Sequence, residues 1–277
     1  MKHTPRKRFG QNFLQNSFII EQIMQLLHLE KDDQVIEIGP GQGALTAPML
    51  MTLRHLTAIE IDRDLCRYLT NRFDTSLTLI EADALTLDYA AFGRGIRLVG
   101  NLPYNISTPL LIHLLGFLGD LGLASTNKSG ELAVGSQPLI KDMHFMLQKE
   151  VAERLAAKPC TKAFGRLTVI AQYFCDVQLV LDVPPDAFYP IPAVESAIVR
   201  LRPYVRSPFE LVSFSSLQKI LAQAFGMRRK TLANNLKPFF TVDDIKNMGI
   251  NPSLRPESLD VNDYVTLTKY LANDMDG

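Results

Sequence analysis

Apolar and polar positions follow two alternating periods along the first two-thirds of the chain. Gln34–Ile38, Leu56–Glu60, Leu77–Ile80 and Ile96–Gly100 are short aliphatic runs of strand length. Helix-length stretches such as Asp64–Phe73 lie between them. Ahead of the first run, Ile20, Ile23, Met24 and Leu27 recur three and four residues apart behind Ser17, which can cap a helix. Strand alternating with helix predicts a parallel sheet with crossover helices. A fifth strand is predicted at Met143–Leu147, with a helix following through Ala157. Leu167–Val183 and Glu195–Leu201 are β-branched runs on either side of a Pro-rich turn, and predict a closing antiparallel hairpin at the sheet edge.

The pattern lapses between Gly116 and Lys141, where Ala124-Ser125-Thr126-Asn127-Lys128-Ser129-Gly130 has a solvated composition, so an inserted surface loop is predicted over 116–141. Beyond Pro203 the character changes. Leu217–Phe225, Lys230–Leu236 and Asp260–Asn273 read as helices. The expected organisation is an α/β domain over 1–204 and a small all-α domain over 205–277.

Composition adds bounds. With 277 residues, 47% of them apolar and 21% charged, the chain has the make-up of a globular protein with a sizeable core. Cys66, Cys160 and Cys175 are too few and too scattered for a disulfide framework, which points to a reducing, cytoplasmic setting. His28, His55, His113 and His144 have no metal-ligand spacing, and no metal is expected. No apolar run is long enough to span a bilayer. Net charge is zero, but Arg6, Lys7 and Arg8 crowd one end and Arg228, Arg229 and Lys230 form a second cluster. Either cluster is explicable as a solvated face; together they tilt the reading toward contacts with RNA phosphates.

The candidate chemistry sits where strands end. Val35-Ile36-Glu37-Ile38-Gly39-Pro40-Gly41-Gln42-Gly43 runs from a strand into a glycine-rich turn and then a helix. Glycines at 39, 41 and 43 let the backbone approach a ligand, and they differ in spacing from the dinucleotide pattern, whose third glycine falls at Ala44 here. Glu60 ends the second strand and can accept from two ribose hydroxyls, with Asp62 as its competitor on the same face. Asp83 ends the third and can accept from an adenine amine, or cap a turn. Glycine loop and acids together resemble the S-adenosyl-L-methionine site of class I methyltransferases.

Asn101-Leu102-Pro103-Tyr104 follows the fourth strand and lands in the same crevice. An adenine amine is a poor nucleophile because its lone pair is delocalised into the ring. The Asn101 amide oxygen and the Leu102 carbonyl can accept its two N–H bonds and favour a pyramidal nitrogen aimed at a methyl donor. Pro103 stiffens the turn and Tyr104 offers a ring for the base. Phe188, in Phe188-Tyr189-Pro190-Ile191-Pro192, either closes the other face of the base or anchors its loop.

These segments, with Arg8-Phe9-Gly10-Gln11-Asn12-Phe13-Leu14, Met146–Val151, Phe188–Ser196 and Arg228–Leu232, occur in one order over nearly the whole chain. The chain resembles the rRNA adenine N6-methyltransferase family, and within it the bacterial small-subunit enzymes. The resemblance implies a class I methyltransferase Rossmann-like fold, a mostly parallel sheet with an antiparallel last strand, plus the small helical domain. It also implies dimethylation of two adjacent adenosines in the 3′-terminal hairpin loop of 16S rRNA, within immature 30S subunits. By the same resemblance, Asn12, Leu14, Gly39, Gly41, Gly43, Glu60, Asp83 and Asn101 would line the cofactor site. The 116–141 stretch is longer than the family's usual connection, and Ala193 and Ala233 stand where basic residues are common. The Erm-type large-subunit enzymes, an assembly factor acting by binding alone and a dinucleotide oxidoreductase are the alternatives. The wording of the fourth-strand motif, its intactness and the glycine spacing disfavour them in turn.

Overall fold

A computed structural model of the chain describes residues 11–73, 75–124, 138–227 and 229–275. In chain order the elements are β1 (Phe13–Leu14), α1 (Ser17–Leu27), β2 (Val35–Ile38), α2 (Thr46–Thr52), β3 (Leu56–Glu60), α3 (Arg63–Arg72), β4 (Leu77–Glu81), β5 (Ile96–Asn101) and α4 (Tyr104–Ala124). There follow β6 (Ile140–Gln148), α5 (Lys149–Leu155), α6 (Arg166–Phe174), β7 (Cys175–Val183), β8 (Phe188–Tyr189), β9 (Ser196–Pro203), α7 (Phe214–Ala224), α8 (Leu232–Leu236), α9 (Val242–Asn247) and α10 (Val261–Met275). A seven-stranded sheet has the order β4-β3-β2-β5-β6-β9-β7, and β1 pairs separately with β8. Strands β2 to β6 pair in parallel and β9 runs antiparallel to β6.

Two compact units emerge. One comprises Met1–His113, Gln137–Ala152 and Gln178–Pro203; the other comprises Leu114–Ser136, Glu153–Val177 and Tyr204–Gly277. Where the sequence predicted a single boundary at 204, the second unit thus draws in two earlier segments as well. The expected loop over 116–141 needs correction at both ends: α4 continues to Ala124 and β6 starts at Ile140, while 125–137 lie outside the described residues. Within that helix, Gly116 and Gly119 admit close neighbours. A Cβ at Gly116 would lie 3.0 Å from the Phe214 ring, and one at Gly119 3.0 Å from that of Phe174. Likewise the stretch from Leu167 is helical up to Phe174, and only Cys175 onward is strand. In this unit α7 buries Leu217, Ile220, Leu221 and Ala224, and Phe225 stacks on Tyr264 at 5.6 Å.

In the first unit α1 buries Ile19, Ile23 and Leu27 against Val35, Leu56 and Val99. Its cap is Asn16, not Ser17: the Asn16 Oδ1 accepts from the amides of Phe18 and Ile19, at 3.0 and 3.2 Å. At its far end the helix meets a buried charge. Arg97, at the start of β5 with its side chain 5% exposed, donates from Nε and Nη2 to the two Asp142 carboxylate oxygens, both at 2.9 Å. Its Nη1 reaches Asp33 Oδ2 at 2.6 Å, and Nη2 also reaches the Leu27 carbonyl at 2.7 Å. Helix end, β5 and β6 are thereby tied together.

Burial works against ionisation of Asp142, yet the neighbouring His144 ring and the hydrogen bonds from Arg97 outweigh it and hold the carboxyl down at about 2. A carboxyl lowered in the folded state adds stability above its unfolded value of 3.8 and loses it as pH falls through about 2. We therefore expect acid destabilisation across that window. Arg97→Met leaves the Asp142 carboxylate buried without its guanidinium partner, while Asp33 keeps Lys141, and should cost about 3–5 kcal/mol in urea unfolding at pH 7. An unchanged midpoint would show that the network carries no stability.

Candidate active site and family

The parallel strands deliver their carboxyl ends to one edge, where a cleft of about 240 Å³ opens. Asn12, Leu14, Gly39, Gly41, Glu60, Asp83, Asn101, Leu102, Pro103 and Tyr104 all line it. Gly39 and Gly41 have φ of +69° and +58°, the left-handed turn that swings the chain from β2 toward α2. Gly43 shares that geometry, with φ +80°, but does not line the cleft; a Cβ there would lie 2.8 Å from the Phe73 ring, so its role is packing against α3.

Glu60 is 6% exposed, and both its oxygens accept from backbone amides. Its Oε1 accepts from the amides of Ile61 and Asp62 at 3.0 and 2.9 Å, and its Oε2 from Gly41 at 3.3 Å. Burial pushes its carboxyl up, against those bonds and with the Asp62 charge adding to the rise. Asp62 serves elsewhere: it caps α3 through Asp64 N at 3.0 Å and accepts from Gln11 Nε2 at 3.2 Å. The competition between the two acids is resolved by position, since Asp62 does not line the cleft. Asp83 Oδ1 accepts from Leu85 N at 2.9 Å, a turn-capping bond that leaves the carboxylate on the cleft wall.

Asn101 is set by one bond. Its Nδ2 donates to the Asn12 carbonyl at 2.9 Å. A carbonyl only accepts, so the amide's NH2 end is committed there and its Oδ1 is the end left to accept from a ligand. The Leu102 amide donates to Met146 O at 3.2 Å, holding the turn against β6. Tyr104 opens α4, half-buried, and its hydroxyl meets Ser196 Oγ at 2.7 Å.

Phe188 is where the structure corrects the sequence reading. It is 3% exposed, lies opposite Leu14 in the β1–β8 ladder and packs with Ile19 and Ile23 in the core. Of the two roles open to it, the structure supports the loop anchor. Arg6, Lys7, Arg8 and Arg228 lie outside the described residues. Arg229 and Lys230 are exposed in the turn before α8, in the other unit.

Among the lining residues that sequence reasoning did not assign, three bear on the chemistry. Phe13 lies against Gly41, where a Cβ would come 3.0 Å from its ring. Ile61, 48% exposed beside Glu60, is an apolar surface for a flat ring. Glu37 is the third: 2% exposed, bonded by Thr46 Oγ1 at 2.6 Å, and pushed up to about 8 by burial, with the Glu60 charge adding to it. A polar residue inside the apolar run of β2 was the available signal.

The whole lining has a single sign. Glu37, Glu60 and Asp83 contribute carboxyls, and among the described residues that line it there is no Lys or Arg. Such a cleft suits a ligand carrying positive charge and is ill-suited to a pyrophosphate.

Comparison with known proteins agrees with this geometry. The chain matches the ribosomal RNA adenine dimethylase family over residues 2–273. It belongs to that family. Ribosomal RNA small subunit methyltransferase A of Legionella pneumophila (strain Corby) is 53% identical over 276 residues, covering 99% of this chain and 100% of that protein. Among solved structures, a dimethyladenosine transferase from Plasmodium falciparum superposes with a TM-score of 0.73 at 26% identity, covering 92% of this chain and 95% of that one. The 23S rRNA methyltransferase ErmE superposes with a TM-score of 0.64 at 22% identity, covering 94% of this chain and all of that one, a likeness of fold. The protein is therefore an enzyme with a class I methyltransferase fold: a mostly parallel sheet, one antiparallel strand and added helices.

A carboxyl raised in the folded state adds stability below its unfolded value and loses it as pH rises through the folded one. For Glu37 that window runs from 4.5 to about 8. Glu37→Gln should remove the slope, so that melting temperature, measured without ligand, falls less between pH 5 and 9 than in the wild type. Parallel curves would place the Glu37 charge outside the folding equilibrium.

Proposed function

We propose that this enzyme transfers methyl groups from S-adenosyl-L-methionine to the N6 amines of two adjacent adenosines in the 3′-terminal hairpin loop of 16S rRNA. The observation that carries the reading is the Asn101 amide, turned by the Asn12 carbonyl so that its oxygen is the free acceptor in a cleft of carboxyls. The cofactor fits the donor set. Its sulfonium and amine are positive against a single carboxylate, and the cleft supplies Glu37, Glu60 and Asp83 with no lining Lys or Arg among the described residues. When bound it supplies an electrophilic methyl group.

The chain's own residues do the rest. Glu60 accepts from ribose hydroxyls, with its carboxylate already fixed by three backbone amides. Asp83 accepts from the cofactor's adenine amine, and Ile61 covers that ring. Asn101 Oδ1 and the Leu102 carbonyl accept the two N–H bonds of the target amine, drawing its lone pair out of the ring plane toward the methyl group. Tyr104 presents a ring on which the target base stacks, an interaction worth about 1–3 kcal/mol. Asn101 carries no charge, so the proton released from the product leaves to water, and the rate comes from positioning.

The assembling small subunit is the partner this reading requires, in the cytoplasm, with Arg6, Lys7, Arg8, Arg228, Arg229 and Lys230 as its contacts to RNA phosphates. The name of the Legionella relative supports the small subunit as target. No helix among the described residues is long and apolar enough to cross a membrane.

Labelled cofactor and undermethylated small subunits, followed by nucleoside analysis, test the proposal; the expected product is N6,N6-dimethyladenosine at two adjacent positions. Label in large-subunit RNA, or none at all, would overturn it. Asn101→Ala should lower methyl transfer by about 100-fold or more while binding to immature subunits persists. Full activity of that variant would remove Asn101 from the mechanism. Neutralising Arg228, Arg229 and Lys230 together should weaken subunit binding and reduce its log–log salt slope by roughly 0.7–0.9 for every phosphate that goes without its cation. An unchanged slope would return the cluster to a solvated surface.

A further inference from the structure

We infer that Ser196 is a positioning residue for methyl transfer, its hydroxyl holding the Tyr104 ring at the angle at which the cleft receives the target base. The inference rests on the functional reading above and extends it to a residue that reading does not use.

The geometry is direct. Tyr104 Oη and Ser196 Oγ are 2.7 Å apart, which is a short, well-formed bond between two hydroxyls. Tyr104 is half-buried on the cleft wall, while Ser196 is fully buried. A fully buried hydroxyl costs free energy unless it is bonded, and the phenol provides that bond. Both ends are anchored to backbone. Ser196 is the first residue of β9 and sits opposite Gln148, the last of β6. One step earlier, Lys149 N donates to Glu195 O at 2.9 Å, and Lys149 Nζ reaches Glu195 Oε2 at 2.9 Å. On the other side Tyr104 opens α4, and Ser107 Oγ donates to its carbonyl at 3.1 Å. With its backbone held at that end and its Oη at the other, the ring has little freedom to swing about its side-chain torsions. A stacking surface held in place before the base arrives loses less entropy on binding than one that must be ordered.

The bond also explains why the strand after the Pro-rich loop matters to the site although Phe188 faces the core. The contribution of this segment to the base runs through the first residue of β9 and the phenol, not through Phe188.

The test compares Ser196→Ala, Tyr104→Phe and the double variant with the wild type, as full-length enzymes. For methyl transfer to undermethylated small subunits, each single variant should lose about 10-fold in kcat/KM, and the double no more than either. Cofactor affinity by calorimetry should stay within about two-fold of wild type, because the bond does not touch the carboxyls of the cofactor site. Wild-type kcat/KM in Ser196→Ala, losses that multiply in the double variant, or a loss that tracks cofactor affinity would each overturn the inference. A readout that needs no turnover stands beside these. In 3-fluorotyrosine-labelled protein without RNA, the fluorine resonance assigned to Tyr104 by its absence in Tyr104→Phe should shift and broaden in Ser196→Ala. An unchanged resonance would overturn the bond, even if the wild type methylated nothing in the small subunit and the functional reading itself fell.

Discussion

The active edge of this sheet depends on a charge buried at the opposite edge. Arg97 stands four residues before Asn101 on β5, and its partner across the ladder, Asp142, stands four before Met146 on β6. A guanidinium with both carboxylate oxygens of one aspartate and a second aspartate beside it leaves little room for register slip, since a one-residue shift would strand the charge. The same guanidinium meets the end of α1 by donating to the Leu27 and His28 carbonyls, at 2.7 and 3.3 Å. That helix starts soon after Leu14, so fixing its far end helps fix the segment that turns the Asn101 amide.

The opposite edge holds acidic groups and, among the described lining residues, supplies them no cation. Glu37 is held off ionisation by burial, with the charge of Glu60 adding to the rise, and no lysine or arginine among the described lining residues relieves either. A protein that neutralises one buried charge so thoroughly at one end of β5 and leaves carboxyls unneutralised at the other has placed its unfavourable electrostatics where a ligand can relieve them. The two arrangements use the same residue types. What separates them is whether the cation belongs to the chain or arrives with the cofactor.

Much of this is legible in the residues because the fold puts strand ends together. Glu60, Asp83 and Asn101 answer the question of what ends each strand, and position along the chain is enough to pose it. Choosing between Glu60 and Asp62 is harder. Both lie at the strand end on one face, and only the capping bond to Asp64 N shows which carboxylate the next helix uses. Phe188 escapes for want of periodicity. β8 is two residues long, too short for alternation to show its direction, and pairing with β1 buries Phe188 while leaving Tyr189 59% exposed. The start of the expected 116–141 loop misleads because the solvated composition of residues 124–130 is carried back over the last two turns of α4. Glu37 sits in plain sight within an apolar run, but its burial is a property of the packed sheet and of Thr46 above it. The short helix α9 carries too few apolar positions to register.

The catalytic tetrapeptide is therefore a convergence point more than a self-contained motif. Asn101 takes its orientation from residue 12, Leu102 its placement from Met146, Gly39 its neighbourhood from Pro103, and Tyr104 its hydroxyl partner from residue 196. Most of those supports come from segments distant in sequence, and each acts on a different atom group. An isolated turn of this sequence would keep the stiffness that Pro103 confers but would lose the amide orientation and the ring angle. Methylating an amine whose lone pair is delocalised demands both at once, since an acceptor aimed correctly at a base stacked wrongly draws the nitrogen away from the methyl donor. The stretch of chain from residue 11 to residue 196 is then the span needed to hold four residues still.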